Sequence, residues 1–163
     1  MYGMSPFGLA KNLGIGRDEA NNYINKFFAR FPGVHDYMER TRALADRQGY
    51  VETTFGRRLW LPEIHAGGAR RAAAERAAIN APMQGTAADL IKLSMIAVQK
   101  WIEEKGLKSK LILQIHDELI MEVPEAEVDL VKENLPKIMD SVTELHVPLI
   151  AEVGVGDNWE AAH

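Results

Sequence analysis

An α+β fold is predicted by two changes in hydrophobic period along an otherwise ordinary chain. Up to residue 49 apolar side chains recur at helical spacing, whereas residues 50–61 and 110–123 alternate every second residue. The 163 residues are 47% hydrophobic and 26% charged, with 13 Gly and 7 Pro, enough to bury a core.

The elements follow in order. Gly16 precedes Arg17-Asp18-Glu19, and Ala20, Tyr23, Ile24, Phe27 and Phe28 then mark a helix over about 17–31, stopped by Pro32-Gly33. A second helix from Pro32 to Gln48-Gly49 sets Val34, Tyr37, Met38, Thr41, Leu44 and Ala45 against a charged face. Tyr50 to Leu61 flanks Gly56-Arg57-Arg58 and is expected to be a short hairpin closed by Pro62. After the Gly67-Gly68 loop, alanine-rich residues 69–80 form a helix that Pro82 is expected to end or kink before it resumes from Gly85 to Lys105. Leu111, Leu113 and Ile115, then Leu119, Met121 and Val123, flank His116-Asp117-Glu118 as a hairpin with an acidic tip set into a buried sheet. Pro124-Glu125 opens a further amphipathic helix, and Val147 to Val153 is expected to add a last strand to that hairpin.

Composition removes several classes of function. Without cysteine there is no disulfide framework, thiolate nucleophile or Cys-based zinc site. The five histidines have no metal-ligand spacing, and no apolar run nears the roughly 18 residues of a membrane span. Met1 to Phe7 lacks the basic and apolar regions of a signal peptide, so a cytoplasmic protein is expected. The net charge of −4 hides an asymmetry: residues 1–116 carry 17 Lys/Arg against 11 Asp/Glu, and residues 117–163 carry 2 against 12. Local charge governs contact with a polyanion when screening acts over about 8 Å, so the basic part can still serve nucleic acid.

Two groups of residues can carry chemistry. Asp117 and Glu118 are adjacent carboxylates on a tight turn, and both can approach a hard cation such as Mg²⁺. Arg76, Asn80 and Gln84 stand at i, i+4 and i+8 on one helical face, with Arg57, Arg58, Arg70 and Arg71 near in sequence. Arg, Asn and Gln carry donors that can reach the minor-groove acceptors, purine N3 and pyrimidine O2, found in every base pair. A solvated turn and a wet helix face are the competing readings of these two patterns.

An ordered set of segments then resembles the family A DNA polymerases: Tyr2 to Ser5, Phe31 to Val34, Tyr37 to Thr41, Gly56 to Arg58, Ala69 to Asp89, Gln114 to Glu118, and Val153 to Trp159. The resemblance implies that His116-Asp117-Glu118 is motif C, with Asp117 a catalytic metal ligand, Glu118 beside the metal site and His116 at the primer end. It implies that Arg76, Asn80 and Gln84 track the minor groove, and that Tyr2 ends motif B near the templating base. Arg70 and Arg71 join them as DNA-binding residues.

Residues 1–49 are then a helical fingers remnant. Residues 50–163 are a palm portion with minor-groove helix, motif C hairpin, C-terminal helix and strand. The family's reaction is nucleotidyl transfer from a dNTP to a primer 3'-OH between two Mg²⁺ ions. The motif A aspartate and the triphosphate-binding Arg and Lys are expected upstream of Met1, leaving the two-metal site incomplete. The expected partners are primer-template DNA, dNTP and the upstream portion of the polymerase, with no membrane. Self-association through exposed apolar surface is also expected. The alternative is a non-catalytic DNA-binding module that keeps only the minor-groove face.

Overall fold

In the computed structural model, which describes residues 4–162, Ser5 opens the first helix. Its Oγ accepts the Gly8 N–H at 3.2 Å, Pro6 stands at the first helical position, and Gly14 ends α1 (Pro6–Leu13) at φ 67°. At eight residues α1 is too short to show a helical period in the sequence, although its cap residues are legible. Next, α2 (Arg17–Arg30) places Asp18 and Glu19 in its first turn and Arg30 in its last, as the helix dipole favours. Pro32 begins α3 (Pro32–Gln48), and Gly49 closes it at φ 76°. Both helices lie where the spacing puts them.

The chain divides into two compact units, residues 1–86 and 87–163. In the first, β1 (Tyr50–Glu52) and β2 (Arg58–Trp60) pair antiparallel with Val51 opposite Leu59. Its core joins Ala45, Val51, Leu61, Ile64, Ala74 and Ala78. Ala74 and Ala78 belong to α4 (Gly68–Lys105), and their small side chains allow close packing on that core.

Of the end or kink expected at Pro82, the end does not occur: α4 is continuous over 38 residues. Proline leaves the Ala78 carbonyl without its usual donor, but the next turn is braced from within and from the hairpin. Thr86 Oγ1 donates to the Pro82 carbonyl at 2.6 Å, and Arg57 Nη2 donates to the Gly85 carbonyl at 2.9 Å.

In the second unit, β3 (Lys110–Ile115) and β4 (Glu118–Glu122) form the expected hairpin, followed by a 3-10 turn (Glu125–Glu127) and α5 (Val128–Asp140). Val98, Ile102, Val131 and Leu135 are its buried centre, with Trp101, Leu119, Met121, Ile138 and Val153 packed around them.

Two expectations fail here. The hairpin is not set into a buried sheet: it is a two-stranded sheet whose register slips between Leu111 and Leu113, and Ile112 and Leu113 are 56% and 49% exposed. The extra residue breaks the alternation that the sequence pattern assumed. Residues 147–153 form no strand; Pro148 lacks the donor a ladder needs, and Ala151 N–H goes instead to Asp140 Oδ1 at 2.8 Å. A final turn, α6 (Trp159–Ala162), was also not foreseen. Among the described residues no helix is long and apolar enough to cross a membrane.

Candidate functional site

Because α4 is unbroken, Arg76, Asn80 and Gln84 stay in register on one side of it, spanning about 12 Å. Arg76 and Gln84 are exposed. Asn80 is half-buried, and its Oδ1 is buried with no hydrogen-bond partner among the described residues. Such an orphaned acceptor costs about 1–3 kcal/mol.

The neighbouring arginines divide by what already holds them. Arg71 donates from Nε to Glu75 at 2.9 Å and from Nη2 to Asp46 at 3.1 Å. The Glu75 hydrogen bond, and then the Asp46 charge, hold its guanidinium above the ordinary arginine value. Its charge is thereby largely spoken for. Arg58 is similarly tied to Glu52 at 2.8 Å and lies over the Tyr50 ring, 4.5 Å from its centroid. Arg70 and Arg76 are exposed, and their side chains make no hydrogen bond or ion pair with another described residue.

The second unit carries the carboxylate turn. Ile115 pairs with Glu118, which leaves His116 and Asp117 as a two-residue loop. His116 takes φ 50°, the only non-glycine at positive φ among the described residues, and Gln114 Nε2 donates to its carbonyl at 2.7 Å. Primed two-residue turns ask for glycine or asparagine at such a position, so a histidine there stores strain of about 1 kcal/mol or more. His116 and Asp117 are exposed and Glu118 half-buried.

These oxygen donors have the right chemistry for Mg²⁺, but among the described residues no group of three or more His, Asp or Glu side chains gathers to hold an ion. Two carboxylates do not complete such a site. Tyr2 lies outside the described residues.

Sequence reasoning missed how α4 is braced beside Gln84. It counted Arg57 only as part of a basic group. The available signal was Gly85 following Pro82 in one helix, two poor helix formers that need outside support.

Comparison with known proteins gives these geometries a context. The chain is 59% identical over its whole length to the DNA polymerase I of Pseudomonas aeruginosa, of which it spans 18%. It is 51% identical over 98% of its length to the DNA polymerase I of Chloroflexus aurantiacus, of which it spans 17%. Among solved structures, the POL domain of Pol1 from M. smegmatis, in complex with DNA primer-template and dNTP, superposes with a TM-score of 0.95 at 44% identity. That alignment covers 99% of this chain and 29% of the other. Residues 1–161 match the family model of DNA polymerase family A. With identity this high from end to end and a family model that matches residues 1–161, the chain belongs to the family A DNA polymerases.

Proposed function

We propose that this chain is the C-terminal portion of a template-directed DNA polymerase that transfers nucleotides from dNTPs to a primer 3'-OH in replication and repair. In this reading residues 1–49 belong to the fingers and residues 50–163 to the palm, in a cytoplasmic enzyme. One observation carries the proposal: a solved relative 44% identical and nearly superposable holds primer-template and dNTP, and this chain keeps a continuous helix presenting Arg76 and Gln84 to solvent.

Arg76, Asn80 and Gln84 would follow the minor groove near the primer end, reading acceptors common to all base pairs and so checking shape rather than sequence. Arg70 would add a phosphate contact, as would Arg71 if its pairing with Glu75 and Asp46 gives way. His116 would meet the primer terminus and Tyr2 the templating base. Asp117, with Glu118 beside it, would offer carboxylate oxygens to Mg²⁺, which when bound stabilises charge developing on the transferred phosphoryl group. Two adjacent carboxylates are too few to hold two ions and an α-phosphate in line. The chain alone therefore binds DNA, and the chemical step needs a further aspartate from the upstream portion. Exposed Ile96, Ile112 and Leu113 would be covered by that portion, or by self-association in its absence.

The test is fluorescence anisotropy of the purified chain with a labelled primer-template. Binding is expected in the range of about 10⁻⁴ to 10⁻⁶ M, falling steeply with salt. Arg76→Ala is expected to weaken it equally for different sequences. Affinity unchanged by both salt and that substitution would overturn the minor-groove assignment. DNA binding that no upstream portion converts into polymerisation would favour the non-catalytic module, consistent with the two-carboxylate turn.

A further inference from the structure

Gln84 stands between the two weakest helix formers in the interior of α4, Pro82 and Gly85, which cost about 3 and 1 kcal/mol relative to alanine there. The turn joining β1 to β2 presses on this stretch. Thr53 organises the turn: its Oγ1 accepts the N–H groups of Phe55 and Arg57, both at 3.2 Å, and its own N–H donates to the Arg57 carbonyl at 2.9 Å.

The turn is fastened to α4 at two points. The Thr54 N–H donates to Thr86 Oγ1 at 3.0 Å, and that hydroxyl donates onward to the Pro82 carbonyl. Arg57 Nη2 donates to the Gly85 carbonyl at 2.9 Å. Between these points Gly85 allows close approach, since a Cβ there would lie 2.6 Å from Thr53 Cγ2 and 3.4 Å from Arg57 Nη2. Every bond here bears on the turn of helix that carries Gln84, and none engages the Gln84 side chain.

We propose that the β1–β2 turn is a latch that fixes where Gln84 is presented, and that Arg57 is a positioning residue for minor-groove contact rather than a contact itself. The proposal rests on the minor-groove reading of α4 and adds what sets its precision. A glutamine amide displaced by a fraction of an ångström loses the alignment a hydrogen bond needs. A proline and a glycine on either side would permit such displacement if nothing held them. Arg57 supplies the hold by donating to a main-chain carbonyl, and Thr86 by joining the turn to the Pro82 carbonyl.

The test is a double-mutant cycle on primer-template affinity, measured by anisotropy across a salt series with the 163-residue chain. Gln84→Ala is expected to weaken binding about fivefold, as for one lost hydrogen bond. Arg57→Ala is expected to weaken it comparably, and Arg57→Ala with Gln84→Ala no further, because both changes remove one interaction. Thr86→Val keeps the side-chain shape and the Arg57 charge while cutting the other fastening, and is expected to reproduce the loss.

The salt slope separates this from direct contact: a phosphate-binding arginine would lower it by about one when removed, whereas a positioning residue leaves it unchanged. Multiplying losses in the double variant, a reduced slope, or wild-type affinity in both Arg57→Ala and Thr86→Val would overturn the latch. If Gln84→Ala itself binds like the wild type, the minor-groove reading fails and the latch with it. If Gln84→Ala weakens binding and neither latch variant does, the latch alone fails.

Discussion

His116 shows how one backbone angle can single out a residue for substitution. A side chain at φ 50° on a two-residue turn is paid for by the strands on either side, which hold Ile115 opposite Glu118. Glycine would take the same angle without strain. His116→Gly is therefore expected to stabilise the second unit by about 1 kcal/mol while weakening primer-template binding. Urea titration of both chains, with anisotropy alongside, checks it; a lower denaturation midpoint for the glycine variant would show that the angle carries no strain. Arg71 makes the opposite point: its type and position suit DNA, but Glu75 and Asp46 hold it. Tertiary neighbours decide which of two adjacent arginines has charge to spare.

Elements here depend on a few polar contacts at their junctions. Glu127 closes the approach to β3: its carboxylate accepts the N–H groups of Lys108 and Ser109, both at 2.9 Å, and the Ser109 hydroxyl. The Ser109 hydroxyl bond, followed by the Lys108 N–H, holds its pKa below the ordinary carboxylate range. A depressed carboxylate contributes stability that is fully present above its unfolded value, near about 4.3, and is lost as pH falls through the lower folded value. Glu127→Gln is expected to lower the melting temperature at neutral pH and to flatten its decline on acidification. Thermal unfolding followed by circular dichroism between about pH 3 and 7 checks this. Parallel pH profiles for the two chains would remove Glu127 as the source.

On the scale of the molecule, the chain spans under a fifth of the curated polymerases it matches and 29% of the solved polymerase domain. Its described residues gather no third metal ligand beside Asp117 and Glu118. Primer extension by the purified chain is therefore expected to stay far below the roughly 1 per second of ordinary enzymes, and to appear when an upstream polymerase portion is supplied. In that reconstituted enzyme Asp117→Asn is expected to abolish incorporation, and Glu118→Gln to reduce it less. Template-dependent extension by the chain alone at enzymatic rates would mean that it completes the metal site from other residues.

Period and punctuation in the sequence are enough to place α2, α3, both hairpins and the start of α5, because a change of hydrophobic period coincides with a glycine or proline at Gly16, Pro32, Gly49, Pro62, Gly106 and Pro124. The two chemical groups were equally legible, since residue type and spacing alone put Arg76, Asn80 and Gln84 on one helical face and Asp117 and Glu118 at a turn. Only the tertiary structure decided the rest. Pro82 stays inside a helix because Thr86 and Arg57 brace the turn around it. Residues 147–153 remain irregular because Pro148 lacks a donor and Asp140 takes the Ala151 N–H. The β3–β4 hairpin leaves Leu113 exposed because one extra residue breaks its alternation. Arg57 and Asp140 act from 28 and 11 residues away, and a slipped register is invisible to local pattern, whereas Thr86 and Pro148 are local residues whose effect depends on those partners.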